Sequence, residues 1–302
     1  MTQRIYVVLG FDMETDIGSW TPFYEGLKRG TPKIIRILRR HGVKVTFFFT
    51  AEAAETSPVL VKSVKQAGHE VGCHGLYHET LGDELFPIPG IKPILHEEVY
   101  RRISLATEKI KKIAGVKPVS FRCPRLWGST AVLNVLESLG YKSDASYPMY
   151  YYEEQLVPYH PNRRDWTKEG NMNILEIPNF ADMTIKSKDP YGRDRDQWPL
   201  YRTDGAKKLI KHIENFISFV NKKNLPVVVL CFYFHPWEFV KMPRGPIHYG
   251  EGSVIPDDFL VKNCGGYALK EFSKMIDYLK SQGAVFITAK TLAEKWNALK
   301  KK

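Results

Sequence analysis

The feature that most constrains the fold is an alternation. Strand-like runs, dense in β-branched and aromatic residues, take turns with segments that carry one apolar stripe at helical spacing. Residues 4–12 read as a buried strand, Ile-Tyr-Val-Val-Leu-Gly-Phe. Thr31-Pro32 then reads as an N-cap with proline at the first helical position. Ile34, Ile35 and Leu38 form that helix's stripe, and Gly42 ends it. A strand over 43–50, a helix from Ser57-Pro58 to Gly68 and a short strand over 70–73 follow. Further helices are predicted over 96–114, 129–139, 205–222 and 267–281, with strands over 119–122, 141–145, 173–177, 227–234 and 284–287 and a final helix. The pattern is that of an α/β protein with seven or eight strands. Closure into a (β/α) barrel is the simplest solution, because it leaves no long edge exposed. An open doubly wound sheet is the alternative, but no GxGxxG follows the first strand to suggest dinucleotide binding.

Residues 1–302 read as one catalytic domain, with a Gly/Pro-rich insertion at about 239–266 that is too long for an ordinary connection. It is a lid, an oligomer contact or a mobile loop. No apolar run reaches the ~20 residues that span a bilayer, so no membrane span is expected. The first residues lack the pattern of a signal peptide, and the expected location is cytoplasmic. Cys73, Cys123, Cys231 and Cys264 are scattered without CxxC spacing, as buried free thiols would be. The net charge is +11, and its basic residues recur between apolar positions on predicted helices. Solvated helix faces explain that, and no nucleic-acid-binding motif accompanies it, so no nucleic-acid partner is expected. Attraction of an anionic substrate is a milder alternative. Homo-oligomerisation is left open.

The chemistry collects at one end of the predicted barrel. His74 and His78 follow the third strand four residues apart. On a helical turn that spacing puts both imidazoles on one face, where they can bind one metal ion. The other strand ends carry Asp12 and Glu14, Arg122, Asp144 and His235. Strand C-termini are where a (β/α) barrel builds its active site.

In order, Phe11-Asp12-Met13-Glu14, His74-Gly-Leu-Tyr-His78, Phe121-Arg122-Cys123-Pro124, Asp144-Ala-Ser-Tyr147 and His235-Pro236-Trp237-Glu238 resemble the motifs of the polysaccharide deacetylase family, the NodB homology domain or carbohydrate esterase family 4. The resemblance covers nearly the whole chain and implies a distorted (β/α) barrel with about seven strands. It implies that Glu14, His74 and His78 hold a divalent metal, with Zn²⁺ first and Co²⁺, Ni²⁺ or Mn²⁺ open. Asp12 would be the base toward water, with Arg122 holding it and keeping its pKa low. His235 would protonate the departing amine, with Asp144 orienting it. The backbone near Arg125 would help stabilise the oxyanion, and Tyr147 and Trp237 would face the substrate. In the commonest form of the first motif two aspartates are adjacent. Here Met13 intervenes, so Glu14 fits an acid-x-acid branch, with Asp16 as second choice. Arg125 stands where an aromatic residue is usual. The implied activity is hydrolysis of an N-acyl, chiefly N-acetyl, group on an amino sugar, a polysaccharide or a related small amide. A cyclic amide or ureide hydrolase resembling allantoinase, a deformylase, and a non-catalytic polysaccharide-binding barrel are the alternatives.

Overall fold

In the computed structural model, which describes residues 4–300, β1 (Ile5–Met13) sets the frame. Its side chains alternate as a strand's must. Val7, Leu9, Phe11 and Met13 pack in the layer under the helices, whereas Tyr6 and Val8 belong to a second cluster inside the curl of the sheet. Asp12 continues the inward parity, and Glu14 is the next residue of that parity.

The other parallel strands are β2 (Thr46–Phe49), β3 (Glu70–Cys73), β4 (Ser120–Phe121), β5 (Ser143–Asp144), β6 (Leu175–Glu176) and β7 (Val228–Phe234). They follow one another from β1 to β6, and β7 returns to the free side of β1. An isolated bridge between Asn179 and Cys231 connects the segment after β6 to β7. The outcome is the curled parallel sheet with surrounding helices that the sequence predicts. The strands β4 to β6 are shorter than their sequence spans. Buried side chains take over from the ladder there. Arg122 Nε and Asn179 Nδ2 both donate to the carbonyl of Ala145, at 3.0 and 2.8 Å, and Glu176 Oε1 accepts from the backbone N–H groups of Ser146 and Tyr147.

The helices α1 (Thr31–His41), α2 (Pro58–Gln66), α3 (Glu98–Ala114), α4 (Thr130–Ser138) and α5 (Ala206–Lys222) occupy the connections. Thr31 is not an N-cap: the chain already winds over Gly26–Gly30, and Thr31 itself has helical dihedrals (φ −56°, ψ −43°). Ser129 does cap α4, accepting from Val132 N at 3.2 Å.

The stretch 239–266 is structured. It holds an antiparallel hairpin, β8 (Ile247–His248) with β9 (Ser253–Val254), and a helical turn, Asp258–Val261. Arg202 ties that turn down by donating to the carbonyls of Phe259 and Lys262, at 3.2 and 2.8 Å. After α6 (Gly266–Ser281) and β10 (Val285–Phe286), which pairs near the start of β1, the chain ends in α7 (Ala289–Leu299). Ala289, Leu292 and Trp296 of α7 join Tyr6, Val8, Val229 and Cys231 and fill the N-terminal mouth of the barrel. The opposite mouth, at the strand C-termini, is left for chemistry. Among the described residues no helix is long and apolar enough to cross a membrane.

Candidate active site

Three side chains converge at the C-terminal mouth. Glu14 Oε2 lies 2.6 Å from His78 Nε2 and 3.3 Å from His74 Nε2, and all three residues are buried. One ligand atom from each falls within 4.8 Å of the others. The two histidines do not reach this point on a helical turn. Residues 74–78 form a loop in which Gly75 (φ 84°) and His78 (φ 63°) are left-handed. Its carbonyls at Gly75 and Leu76 accept from Ala51 N and Glu52 N. Its N–H groups at Leu76 and Tyr77 donate to the Glu79 carboxylate. Those bonds occupy the backbone groups that a helix would need. Asp16, the second choice for the third position, faces elsewhere: its carboxylate accepts from Glu25 N and Gly26 N at 2.9 and 2.8 Å.

The trio suits a cation. His74 Nδ1 lies 2.7 Å from the carbonyl of Arg122, which can only accept, so this nitrogen carries a proton. In the neutral ring Nε2 is then bare and faces a carboxylate oxygen. Two lone pairs at that distance repel unless a proton or a metal ion lies between them. Glu14 Oε1 is also buried without a hydrogen-bond donor. Burial pushes the Glu14 pKa up, but His78, His74 and His235 outweigh it and hold the carboxyl well below its usual range. Burial keeps His78 below its usual value, in the neutral form a ligand needs. Two imidazoles and a carboxylate form a donor set for Zn²⁺ and its neighbours.

Beside the trio, Arg122 Nη1 donates to Asp12 Oδ1 at 2.9 Å, with both groups buried. The guanidinium lies 4.5 Å over the Phe48 ring and also donates to Asn179 Oδ1 at 3.3 Å. It crosses β1 at Gly10, where a Cβ would stand 2.2 Å from Arg122 Nη1. That approach explains a glycine inside an otherwise apolar strand. Burial opposes the Arg122 charge, but Asp12 and its other neighbours more than offset this and raise its pKa.

His235 stands across the mouth, with Nε2 3.9 Å from Glu14 Oε1 and its ring stacked on Trp237 (centroids 5.5 Å apart). Its Nδ1 meets Glu238 Oε1 at 3.0 Å. Glu238 in turn accepts from Arg202 Nε (2.6 Å), Trp198 Nε1 and the Tyr201 hydroxyl. Burial alone would lower the His235 pKa. The bond to Glu238 and the charge of Glu14 outweigh it, and the net shift is upward.

Asp144 therefore does not orient His235. It is buried at β5, where Oδ1 accepts from Ser146 Oγ at 2.7 Å. Its other oxygen and Glu176 Oε2 both lack a donor, and one proton shared between these two carboxyls satisfies both. Burial pushes Asp144 up to about 6, and Glu176 goes well above its usual value. Tyr147 does not face the mouth either. It is fully buried against Tyr152, Tyr159 and Trp166, and its hydroxyl accepts from Gln155 N. Arg125 does line the mouth, in a left-handed conformation (φ 61°), with Nη1 3.3 Å from His78 Nδ1.

The sequence motifs assign no role to Glu238, Glu176 or Asn179. Glu238 had a local signal, the spacing of a capping box: Glu238 Oε1 also accepts from His235 N at 2.8 Å. The other two act through long-range contacts and had none. Together these walls enclose a cavity of about 620 Å³, completed by Trp20, Phe86, Tyr150, Arg193 and Trp198 and by Phe259 and Leu260 of the 239–266 stretch.

Comparison with known proteins bears on the family and the fold. A family model described as polysaccharide deacetylase matches residues 2–143. A peptidoglycan-N-acetylglucosamine deacetylase of Bacillus cereus is 36% identical over 95 residues, 31% of this chain and 30% of that protein. The alignments span less than half the length of the first curated relatives. A solved structure from Mycobacterium smegmatis, assigned as a polysaccharide deacetylase, superposes with a TM-score of 0.65 at 18% identity over 99% of this chain and 92% of that one. The structure of Puue allantoinase gives 0.64 at 15% identity, over 98% and 91%. At such identities the two structures speak to the fold.

Proposed function

We propose a reaction for a chain that belongs to the polysaccharide deacetylase family: hydrolysis of an N-acyl group, chiefly N-acetyl, from an amino sugar. The observation that carries this reading is the meeting of three parts at one mouth, the Glu14–His74–His78 trio, the Asp12–Arg122 pair and the His235–Glu238 pair. Glu14, His74 and His78 would hold a divalent ion, Zn²⁺ first by its donor set, which would supply Lewis acidity toward a water and an amide carbonyl.

The remaining work belongs to the chain. Asp12 accepts the proton of the attacking water, and Arg122 fixes the carboxylate oxygen it does not use. As the new C–O bond forms and the C–N bond breaks, His235 hands a proton to the departing nitrogen. The products are a carboxylate and a free amine. Glu238 holds the imidazole by Nδ1, so that Nε2 faces the cavity. The apolar faces of Trp20, Trp198 and Trp237 suit the C–H faces of a sugar ring. The four cysteines are free thiols, in keeping with a reducing compartment.

The test is metal content and acetate release for the wild type and for the His74→Ala/His78→Ala double variant. The variant is expected to lose both. Unchanged metal stoichiometry in the double variant would remove the proposed centre. Reconstitution with Zn²⁺, Co²⁺, Ni²⁺ or Mn²⁺ ranks the ions. A cyclic amide or ureide substrate is the second reading, favoured by a cavity of about 620 Å³, sized for a small molecule, and by Glu14 in an acid-x-acid arrangement. Incubation with allantoin, N-acetylated sugars and N-formyl amines, scored by ring opening, acetate and formate, separates the readings.

A further inference from the structure

The hydrogen bonds made by the charged groups lining the cavity are uneven. Each of its carboxylates has partners. Asp12 has Arg122, and Glu14 has the two histidines. Asp196 takes the Tyr233 hydroxyl and Trp198 N. Asp194 takes Ser187 Oγ and Lys188 N at 2.6 and 2.8 Å. The two arginines of the same lining, Arg125 and Arg193, are not satisfied in this way.

The Arg193 guanidinium lies over the Phe86 ring, 5.0 Å from its centroid. Burial opposes its charge, but Tyr150 and Tyr233, followed by Asp196 and Asp189, more than offset this, yet among the described residues no acceptor takes a hydrogen bond from the guanidinium. Arg125 Nε is buried without an acceptor, and the head group lies 5.8 Å from the Trp20 ring. Among the described residues its one side-chain hydrogen-bond contact is His78 Nδ1, at 3.3 Å. That contact requires a bare Nδ1, because a guanidinium can only donate. A neutral imidazole that gives Nε2 to a metal carries its proton on Nδ1 and can no longer accept. A loaded centre therefore leaves Arg125 with no acceptor among the described residues, facing the cavity where the substrate must sit.

We propose that Arg125 and Arg193 recognise an oxyanion substituent, a carboxylate or a phosphate, on the substrate of this site. The proposal rests on the amide-hydrolase reading of the same cavity. Free guanidinium donors match the paired oxygens of such groups. A cavity of about 620 Å³ has room for a sugar-sized amide bearing one. The net charge of +11 would draw anionic molecules toward the protein.

Tryptophan fluorescence can report binding, since Trp20, Trp198 and Trp237 line the cavity. Metal-loaded protein would be titrated in the cold with N-acetylglucosamine, N-acetylmuramic acid, N-acetylglucosamine 6-phosphate and N-acetylglycine, with acetate release followed in the same samples. At least one charged sugar should bind about tenfold or more tightly than the neutral one, an advantage that salt weakens. Arg125→Gln and Arg193→Gln should each reduce that advantage several-fold, and Arg193→Lys should restore part of it. Metal content and circular dichroism establish that the variants are folded. The better of the carboxylate and phosphate sugars names the oxyanion. Equal affinity for charged and neutral sugars, or an advantage that survives both glutamine variants, overturns the proposal, as does failure of every probe to bind. If N-acetylglycine alone binds, and does so through the arginines, the anion site stands and the sugar reading falls. If N-acetylglucosamine is deacetylated and no anion binds more tightly, the sugar reading stands and the anion site falls.

Discussion

His235 shows how one residue's chemistry is set by the next few in the chain. Its imidazole is buried, which by itself favours the neutral ring, yet its pKa stands above the ordinary value because Glu238 holds Nδ1. In its proposed role as acid, His235 must be protonated, so the rate should fall as pH rises through this raised pKa. Glu238→Gln keeps an oxygen for the Nδ1 proton but removes the charge. The alkaline limb of the pH–rate profile should therefore move to lower pH. The variant also leaves Arg202 without its buried ion pair, at a cost of about 3–5 kcal/mol, so the profile has to be read well below the melting temperature. An unmoved limb would deny Glu238 its role. His235→Ala should lower kcat by about 10²–10⁴-fold at neutral pH. Gly10 makes a complementary point from a residue with no side chain. A methyl there would meet Arg122 Nη1 at 2.2 Å, so Gly10→Ala should push the guanidinium off Asp12. Activity should fall sharply while thermal stability drops by about 1–3 kcal/mol. An active Gly10→Ala variant would show that the Asp12–Arg122 pair is dispensable.

Elements differ in how openly the sequence announces them. Period 2 along β1 puts Asp12 and Glu14 on one face, and the strand keeps that parity. Cys73 and Cys123, next to site residues, turn into the layer under the helices by the same parity. The His74–His78 spacing was legible as a pair, but not its geometry. A left-handed glycine and the carboxylate of Glu79 override the helical turn. The strands β4 to β6 end earlier than their sequence spans, because buried polar side chains replace ladder bonds there and no local pattern records such a substitution. The terminal helix α7 was visible as a helix, but its place in the N-terminal mouth was not. Trp296 is almost wholly buried there, on the far side of the barrel from the proposed active site. Trp296→Ala should cost about 3–5 kcal/mol of stability yet leave the kinetic constants of the folded enzyme within about twofold at low temperature. A large loss of kcat at full folding would mean that the floor of the barrel positions the site.

At the scale of the whole molecule, the pairing of Asp144 with Glu176 bears on stability as pH changes. The residues lie 32 positions apart in the chain, so the partnership could not be seen before the sheet had curled. Their shared proton has a thermodynamic consequence. Burial raises Asp144 to about 6 and Glu176 well above its usual value. Folding therefore takes up protons once the pH exceeds the unfolded carboxyl pKa values, ~4. The pair's contribution is favourable below that pH. It declines as pH rises through the folded-state values, so at pH 8 the pair destabilises the native state relative to pH 4. Glu238 has the opposite sign. Burial disfavours its charge, but Arg202 and His235 bring it down to about 2, so its contribution is present above pH ~4 and is lost as pH falls toward 2. Glu176→Gln isolates the first effect. The amide oxygen can still accept from Ser146 N and Tyr147 N, which fixes the orientation of the group. The amide nitrogen then donates to Asp144 Oδ2, so Asp144 no longer has to share a proton. Denaturant melts of wild type and variant should nearly coincide at pH 4. At pH 8 the variant should be the more stable, by on the order of 2 kcal/mol. Lower stability of Glu176→Gln at pH 8 would mean that both carboxyls are ionised in the native protein and held by Arg122, and the shared proton would have to be abandoned.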